Sequence, residues 1–234
     1  MALTLRFATA RDIAAIARVC VESLPDDPTF DYLWRYRHEY PDDNYFFWLQ
    51  RLKGNLFDPD MTCLVVAKPH YKGAEETVVS VGLWRRHGST QAARQWQKQG
   101  WLDWIQGLAT SVENWAIARQ YQRRDADMLR VEAFKQVMDE VYDIYWRKAF
   151  PDNWHLELLF THPEHRKQGA ATKIVQWGLT QAEMEGADLG LESSPMGFPL
   201  YQSLGFVLIE KRTVRVDGDK AELGVLVMHK PSSQ

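Results

Sequence analysis

The apolar and polar positions along the chain predict strands and helices in alternation, beginning with a strand over 4–8. Thr9 has the position of a helix N-cap and Asp12 supplies a carboxylate to the first turn. Helical spacing then continues to Leu24, and the proline-rich residues 25–28 end this first helix. Residues 29–57 are rich in aromatic side chains and predict two short helices separated by a break at 41–44.

The middle of the chain changes character after a predicted hairpin. Residues 62–67 and 77–84 are two strands joined by a turn within 68–75. Residues 88–150 then predict helices only, with a helical run over about 91–120 and a second one later. One face of that second helix shares the apolar side chains Phe134, Val137, Met138, Val141 and Tyr145. About sixty helical residues between two strands indicate an insertion.

Strand and helix alternation resumes near residue 154. The pattern predicts a strand over 155–161, a helix over 168–185, a strand over 188–193 and a short helix over 199–204 that stops at Gly205. Two final strands over 206–216 and 222–229 form a hairpin. We therefore expect a mixed α/β sheet in one domain, residues 1–234, with a helical insertion at about 88–150.

Composition narrows the function classes. The net charge of −3 argues against a nucleic-acid binder, and no apolar run approaches the roughly 20 residues of a membrane span. Two cysteines in 234 residues do not make a disulfide framework, and the N-terminus lacks the features of a signal peptide. We expect a cytoplasmic protein with no nucleic-acid or membrane partner, either a monomer or a homodimer.

The stretch most informative about chemistry lies between the strand over 155–161 and the helix that follows. Small residues there let the backbone turn closely around an anion, and unpaired amide groups at the helix start point towards it. Two basic side chains add charge. The segment, typical of a pyrophosphate cradle, consists of Arg166, Lys167, Gln168, Gly169, Ala170 and Ala171.

With its flanks, this segment resembles the acetyl-CoA motif of the GNAT superfamily, Arg/Gln-x-x-Gly-x-Gly/Ala. The segment from Leu191 to Pro195, followed by Tyr201-Gln202-Ser203-Leu204-Gly205-Phe206, resembles the strand, short helix and Tyr-x-x-x-Gly-Phe of the same family. The similarity covers about 154–229. The segment from Leu191 to Phe206 also resembles, locally, the corresponding segment of puromycin N-acetyltransferase. The family resemblance implies a mixed, mostly antiparallel sheet with splayed central strands.

The resemblance implies acetyl-CoA as cofactor and assigns residues to it. The pyrophosphate falls on Arg166–Ala171, with Thr172 reaching a phosphate oxygen. Phe160 and Thr161 offer backbone groups to the pantetheine arm. Many members hold the cofactor with an Asn before the short helix. This chain has Ser193, Ser194 and Pro195 there, and Ser194 is the candidate contact.

The resemblance also implies the catalytic groups. Tyr201 falls on the general acid that protonates the departing thiolate, and Glu157 falls on a position of the base that deprotonates the amine. His155, Glu192 and a water molecule are the alternatives for the base. The sequence spacing implies no metal site.

The expected function is transfer of an acetyl group to a primary amine by direct attack in a ternary complex. The local resemblance favours a small-molecule amine. A protein or peptide N-acetyltransferase and a non-catalytic acyl-CoA-binding sensor are the alternatives. The aromatic-rich insertion, which carries five of the ten Trp residues, is interpreted as shaping the acceptor pocket.

Overall fold

The computed structural model describes residues 2–23, 27–69, 76–97 and 101–232, with the backbone alone over 101–110. Outside these ranges lie the predicted helix end at 24–26 and most of the turn at 68–75, and the side chains of Trp101 and Trp104 are likewise not described. The helices are α1 (Ile13–Ser23), α2 (Pro28–Leu33), α3 (Pro41–Leu56), α4 (Gln91–Trp96), α5 (Trp101–Gln120), α6 (Met128–Val141), α7 (Ala170–Glu185) and α8 (Phe198–Ser203). The strands are β1 (Thr4–Phe7), β2 (Met61–Lys68), β3 (Thr77–Arg86), β4 (Asn153–Thr161), β5 (Asp188–Ser193), β6 (Val207–Arg215) and β7 (Glu222–Lys230).

The seven strands form one sheet in the order β1-β2-β3-β4-β5-β7-β6. Each neighbouring pair is antiparallel except β4 and β5, which run parallel. That pairing ends at Leu156 and Leu191, although β4 continues to Thr161 and β5 to Ser193. The two central strands therefore separate into a gap, which confirms the expected mixed sheet with splayed strands.

Helices cover both faces of the sheet because its central strands carry apolar side chains on both sides. On one face α1, α2 and α3 bury a core that includes Ile16, Trp48 and Val65. On the other face α7 packs through Ile174 and Val175. The gap between β4 and β5 thus opens between two well-packed layers.

Two local predictions near the N-terminus have different outcomes. The cap at Thr9 is confirmed, because its backbone N–H donates to the Asp12 carboxylate at 2.7 Å. The expected break at 41–44 is wrong: Pro41 occupies the first turn of the 16-residue helix α3. Proline fits that position because the first-turn N–H groups have no helical partner.

The predicted insertion is helical and becomes part of the sheet's cover. After α6 the chain continues as a π-helix over Tyr142–Ala149, closed by a 2.7 Å hydrogen bond from the Phe150 N–H to the Tyr145 carbonyl. Trp146 on this segment is fully buried, and its ring lies where a Cβ at Gly190 on β5 would stand. Among the described helices, none has the length and apolarity needed to cross a membrane.

A close approach of α7 to the sheet depends on Gly178. A Cβ built at this residue would lie 2.3 Å from the indole of Trp84, a fully buried side chain of β3. Real Cβ atoms do not approach other heavy atoms so closely, and a buried indole has no free space into which to move. The absence of a Cβ at Gly178 therefore sets how near α7 lies to β3.

We predict that Gly178→Ala destabilises the protein by about 1–3 kcal/mol through overpacking, although alanine is the better helix former. The matched control is Gly54→Ala near the end of α3, where an added Cβ meets nothing within 4 Å. That variant should be neutral or more stable by up to about 1 kcal/mol. Denaturant unfolding measures both, and a stabilised Gly178→Ala variant would contradict the packing argument.

Candidate functional site

A cavity of about 920 Å³ occupies the gap between β4 and β5 and extends under α2, α3 and α6. Its lining draws on the loop before α7, the C-terminal halves of both strands, the start of α8 and the insertion. Segments far apart in sequence therefore meet at the point where the central strands separate. Concave sites with apolar walls and a few polar groups are typical ligand sites.

At one end of the cavity, the loop before α7 has the geometry of an anion cradle. Gly169 adopts a left-handed conformation (φ 83°, ψ 7°) and stands at the N-cap of α7, where no side chain caps the helix. The first helical hydrogen bond runs from the Lys173 N–H to the Gly169 carbonyl at 3.0 Å. The N–H groups of Ala170, Ala171 and Thr172 precede this bond, and all three residues line the cavity.

Space for a ligand exists at the same place. A Cβ built at Gly169 would meet nothing within 4 Å, so the backbone faces open volume rather than packed side chains. Lys167 lies beside it with a positive φ of 57° and also lines the cavity. Converging amides, a nearby cation and open space fit the pyrophosphate of a nucleotide cofactor.

Two of the predicted cradle residues make contacts within the protein. Arg166 donates from Nη2 to the Ser23 carbonyl at 3.1 Å and from Nε to the Thr161 carbonyl at 3.4 Å, which ties α1 to β4. Gln168 donates to the Glu164 carbonyl at 3.1 Å and is exposed. Arg166 lines the cavity, whereas Gln168 is not among its lining residues.

Backbone groups of β4 differ in the direction they face. The His162 N–H donates to the carbonyl of Val79, near the start of β3. The Phe160 carbonyl accepts from the Ser80 hydroxyl, also on β3, at 2.7 Å. Because amide directions alternate along an antiparallel strand, Leu159 and Thr161 are the residues whose amides turn to the gap. Thr161 therefore faces the cavity with its backbone, while Phe160 contributes its ring.

Tyr201 and Ser194 lie at the start of α8, on the β5 side of the cavity. Tyr201 is buried, and burial raises the pKa of its phenol, so the hydroxyl keeps its proton. Gly197 leaves room for the ring, because a Cβ there would lie 3.0 Å from it. The Ser194 hydroxyl accepts from the Gly197 N–H at 3.4 Å and so takes part in the turn that begins α8.

Glu157 lies in the cavity wall at an irregular point of β4. The register with β3 slips there, so that Leu158 pairs with Leu83 and Leu156 with Trp84, leaving Glu157 between them. A bulge of this kind redirects a side chain out of the regular alternation. The Glu157 carboxylate accepts from the guanidinium of Arg85, which also bonds Asp58 at 3.0 Å.

His155 and Glu192 form a second polar pair, joined across the two central strands. His155 Nε2 lies 2.9 Å from the Glu192 carboxylate, whose other oxygen accepts from the Trp146 indole N–H at 2.5 Å. Burial is the largest single influence and lowers the pKa of His155, but the charge and hydrogen bond of Glu192, together with the charge of Glu157, raise the pKa above its ordinary value. An imidazole held by a carboxylate is the arrangement of an oriented base.

His87 lies next to this pair and differs from it electrostatically. Its ring centroid is 6.1 Å from that of His155, and burial together with the neighbouring cations lowers its pKa to about 3. His87 therefore remains neutral over the range in which His155 titrates. Its Nδ1 is 3.5 Å from the Tyr142 hydroxyl of the π-helix.

The structure brings together all three side chains proposed as bases, as well as Tyr201 and the cradle, around one cavity. No local pattern indicates Trp146 as a partner of Glu192, because the contact depends on how the π-helix lies over β5. Also not singled out from the sequence are His162, Glu164 and His165, whose ligand atoms lie within 4.8 Å of one another. Their close spacing on one short turn was the available signal for that cluster.

Comparisons with known proteins agree with this geometry. The family described as "Acetyltransferase (GNAT) domain" matches residues 144–219. A protein of Stachybotrys chartarum named acetyltransferase is 27% identical over 217 residues, which span 92% of this chain and 85% of that protein.

Solved structures show the same fold. An agmatine N-acetyltransferase structure is 14% identical with a TM-score of 0.60, covering 98% of this chain and 99% of the other. The PaiA N-acetyltransferase of Thermoplasma acidophilum, in complex with coenzyme A, is 12% identical with a TM-score of 0.53, covering 99% of each chain. The cradle and the splayed strands agree with the match of residues 144–219 to the GNAT acetyltransferase domain, and the coenzyme A complex among the similar structures agrees with acetyl-CoA as the acetyl donor.

Proposed function

We propose that this chain transfers the acetyl group of acetyl-CoA to the primary amine of a small molecule. The observation that carries the proposal is one cavity with the cradle at one end and Tyr201 and the His155–Glu192 pair at the other. In this proposal residues 1–234 form one domain, and the insertion at about 88–150 supplies part of the acceptor wall.

The donor end is assigned to the cradle and to β4. The amides of Gly169, Ala170 and Ala171 bind the pyrophosphate, assisted by Lys167 and the Thr172 hydroxyl. The gap-facing amides of Leu159 and Thr161 bind the pantetheine arm. Arg166 supports this end by holding α1 against β4, in addition to its charge. The bound thioester supplies an activated acetyl group.

At the acceptor end a base must take a proton from the amine, since a protonated nitrogen has no lone pair for attack. We assign this role to His155, directly or through one water, with Glu192 orienting the imidazole. As the N–C bond forms and the C–S bond breaks, Tyr201 donates its proton to the departing sulfur, and the proton that the acetylated nitrogen then loses returns to the phenolate through water. Glu157, the base implied by the family resemblance, is the alternative, and its contact with Arg85 favours a structural role.

The placement of the reacting groups supports a small acceptor. His155 and Tyr201 are buried within the cavity, which suits an amine that enters whole. The similar fold of an agmatine N-acetyltransferase is consistent with such an acceptor. The cytosolic location stays a prediction from the cysteine content. The two cysteines of the chain are buried and form no disulfide with each other.

The test is release of free CoA thiol from acetyl-CoA in the presence of a library of primary amines and of peptides. Amine-dependent release with small amines is the expected result. Release with peptides alone would identify a protein acetyltransferase instead. Tight acetyl-CoA binding without release for any amine would identify a sensor.

We predict that Gly169→Ala weakens coenzyme A binding at least tenfold, about 1.4 kcal/mol, because the added methyl occupies the space over the cradle amides. Alanine at a positive φ also costs about 1–2 kcal/mol of stability. Gly218→Ala is the matched control, since Gly218 has φ 81°, equally open space and a place in the β6–β7 turn. Calorimetry that finds equal affinities in both variants would contradict the cradle.

We predict that Tyr201→Phe lowers kcat about 100-fold or more, since the phenol proton is lost while the ring remains. Coenzyme A affinity should stay near that of the unmodified chain. Steady-state kinetics and calorimetry separate the two effects. A variant with full kcat would remove Tyr201 from the reaction.

We predict that kcat/KM rises with pH through the pKa of His155, because the neutral imidazole is the base. Glu192→Gln removes the charge that raises this pKa and leaves burial, which lowers it, so the acidic limb moves to lower pH. Asp143→Asn, at an exposed carboxylate paired with Arg147, is the control. If Glu157 were the base, Glu157→Gln would abolish the limb and Glu192→Gln would leave it in place.

A further inference from the structure

The acceptor end of the cavity contains a cation whose role the acetyl transfer does not explain. Arg51 on α3 lines the cavity, and its side chain is exposed to that interior space. Within the part of the chain that the structure describes, no carboxylate forms an ion pair or hydrogen bond with its guanidinium. The guanidinium lies over the Trp48 ring, with 5.6 Å between its central carbon and the ring centroid.

Of the four carboxylates that line the cavity, all but the exposed Asp139 of α6 are already engaged. Glu157 is bound to Arg85, and Glu192 is bound to His155 and Trp146. Asp27 accepts from the Thr29 N–H at 2.9 Å and caps α2. None of these three groups is therefore available to Arg51 without breaking an existing contact.

The electrostatic surroundings of Arg51 also favour an added anion. The desolvation of its guanidinium lowers its pKa, the charge of Glu157 compensates only in part, and the nearby cation Arg123 makes a smaller contribution that lowers the pKa further. Arg123 itself is bound to Asp125 at 3.0 Å and lies over the Phe47 ring at 3.7 Å. An anion beside Arg51 would relieve both the desolvation and the repulsion between the two cations.

Aromatic rings surround this cation. Trp34 packs against Phe47 at 5.7 Å and against Trp48 at 5.5 Å between centroids, and Trp48 packs against Phe160 at 5.3 Å. All four rings line the cavity. The wall thus suits an apolar or aromatic body next to one anionic group.

We propose that the acceptor is an amino acid or a close amino-carboxylic acid with an apolar or aromatic side chain, and that Arg51 binds its carboxylate. This inference rests on the proposed function, since it names the acceptor class of the same site. A guanidinium matches a carboxylate through two parallel hydrogen bonds, which fixes orientation as well as affinity. The amine is then directed towards His155 while the side chain packs on the aromatic wall.

The experiment compares amines that differ by the carboxylate alone: phenylalanine with phenethylamine, and tryptophan with tryptamine. A β-amino acid, 3-amino-3-phenylpropanoate, varies the spacing between the two groups. For each, kcat/KM is measured by thiol release, and binding to the coenzyme A complex is measured by calorimetry. The variants are Arg51→Gln and Arg51→Lys, with Arg119→Gln on the exposed face of α5 as control.

We expect the unmodified chain to prefer at least one acid over its decarboxylated partner by tenfold or more. In Arg51→Gln the ratio of kcat/KM between acid and amine should fall by about 10- to 100-fold, the range for a lost charge-assisted pair. Arg51→Lys should recover part of that ratio, and Arg119→Gln should leave it unchanged. Coenzyme A affinity should be the same in all variants.

Other outcomes separate this inference from the proposed function. Acetylation of the amines with no preference for a carboxylate, or an equal loss for both partners in Arg51→Gln, would overturn the inference and leave the function standing. Arg51-dependent binding of the acids without thiol release would support the anion site and overturn the function. Weaker coenzyme A binding in Arg51→Gln would assign Arg51 to the donor site and overturn the inference. A chain that neither binds nor acetylates any of these compounds would count against both the inference and the proposed function.

Discussion

The rest of the structure depends on the point at which β4 and β5 stop pairing. Beyond Leu156 and Leu191 both strands continue, but the backbone groups on their facing edges no longer form hydrogen bonds with each other. Backbone amides left without a strand partner require water or a ligand. In the proposed function the gap sets where the cofactor arm binds. Because the gap opens at the C-terminal ends of parallel strands, the loop before α7 and the start of α8 line the same cavity.

The helical insertion contributes to chemistry as well as to shape. Its π-helix places Trp146 against β5, where the indole holds Glu192 and Glu192 holds His155. A π-helical segment adds a residue to the turn and changes the direction of the side chains that follow. The π-helix and His155, the base in the proposed reaction, are therefore connected by two hydrogen bonds through Glu192.

The sequence predicted most of the fold because its signals were local. The cap at Thr9, the stop at Gly205 and the alternation of strands all depend on residues within a few positions of one another. The first-turn proline of α3 was misinterpreted because proline is common both in breaks and at helix starts. The cradle was likewise visible, since its residues are contiguous. The partners of the polar side chains were not, because Arg85 meets Glu157, and Trp146 meets Glu192, only after distant segments pack.

The contact between Trp146 and β5 makes two parts of the chain interdependent in evolution. The indole needs the empty space over Gly190 as well as the carboxylate of Glu192, and both residues lie on β5 rather than in the insertion. A helical segment transplanted from a relative with a different residue in place of Trp146 would leave Glu192 without this donor and a void beside the strand. A change at Trp146 therefore calls for a compensating change on β5.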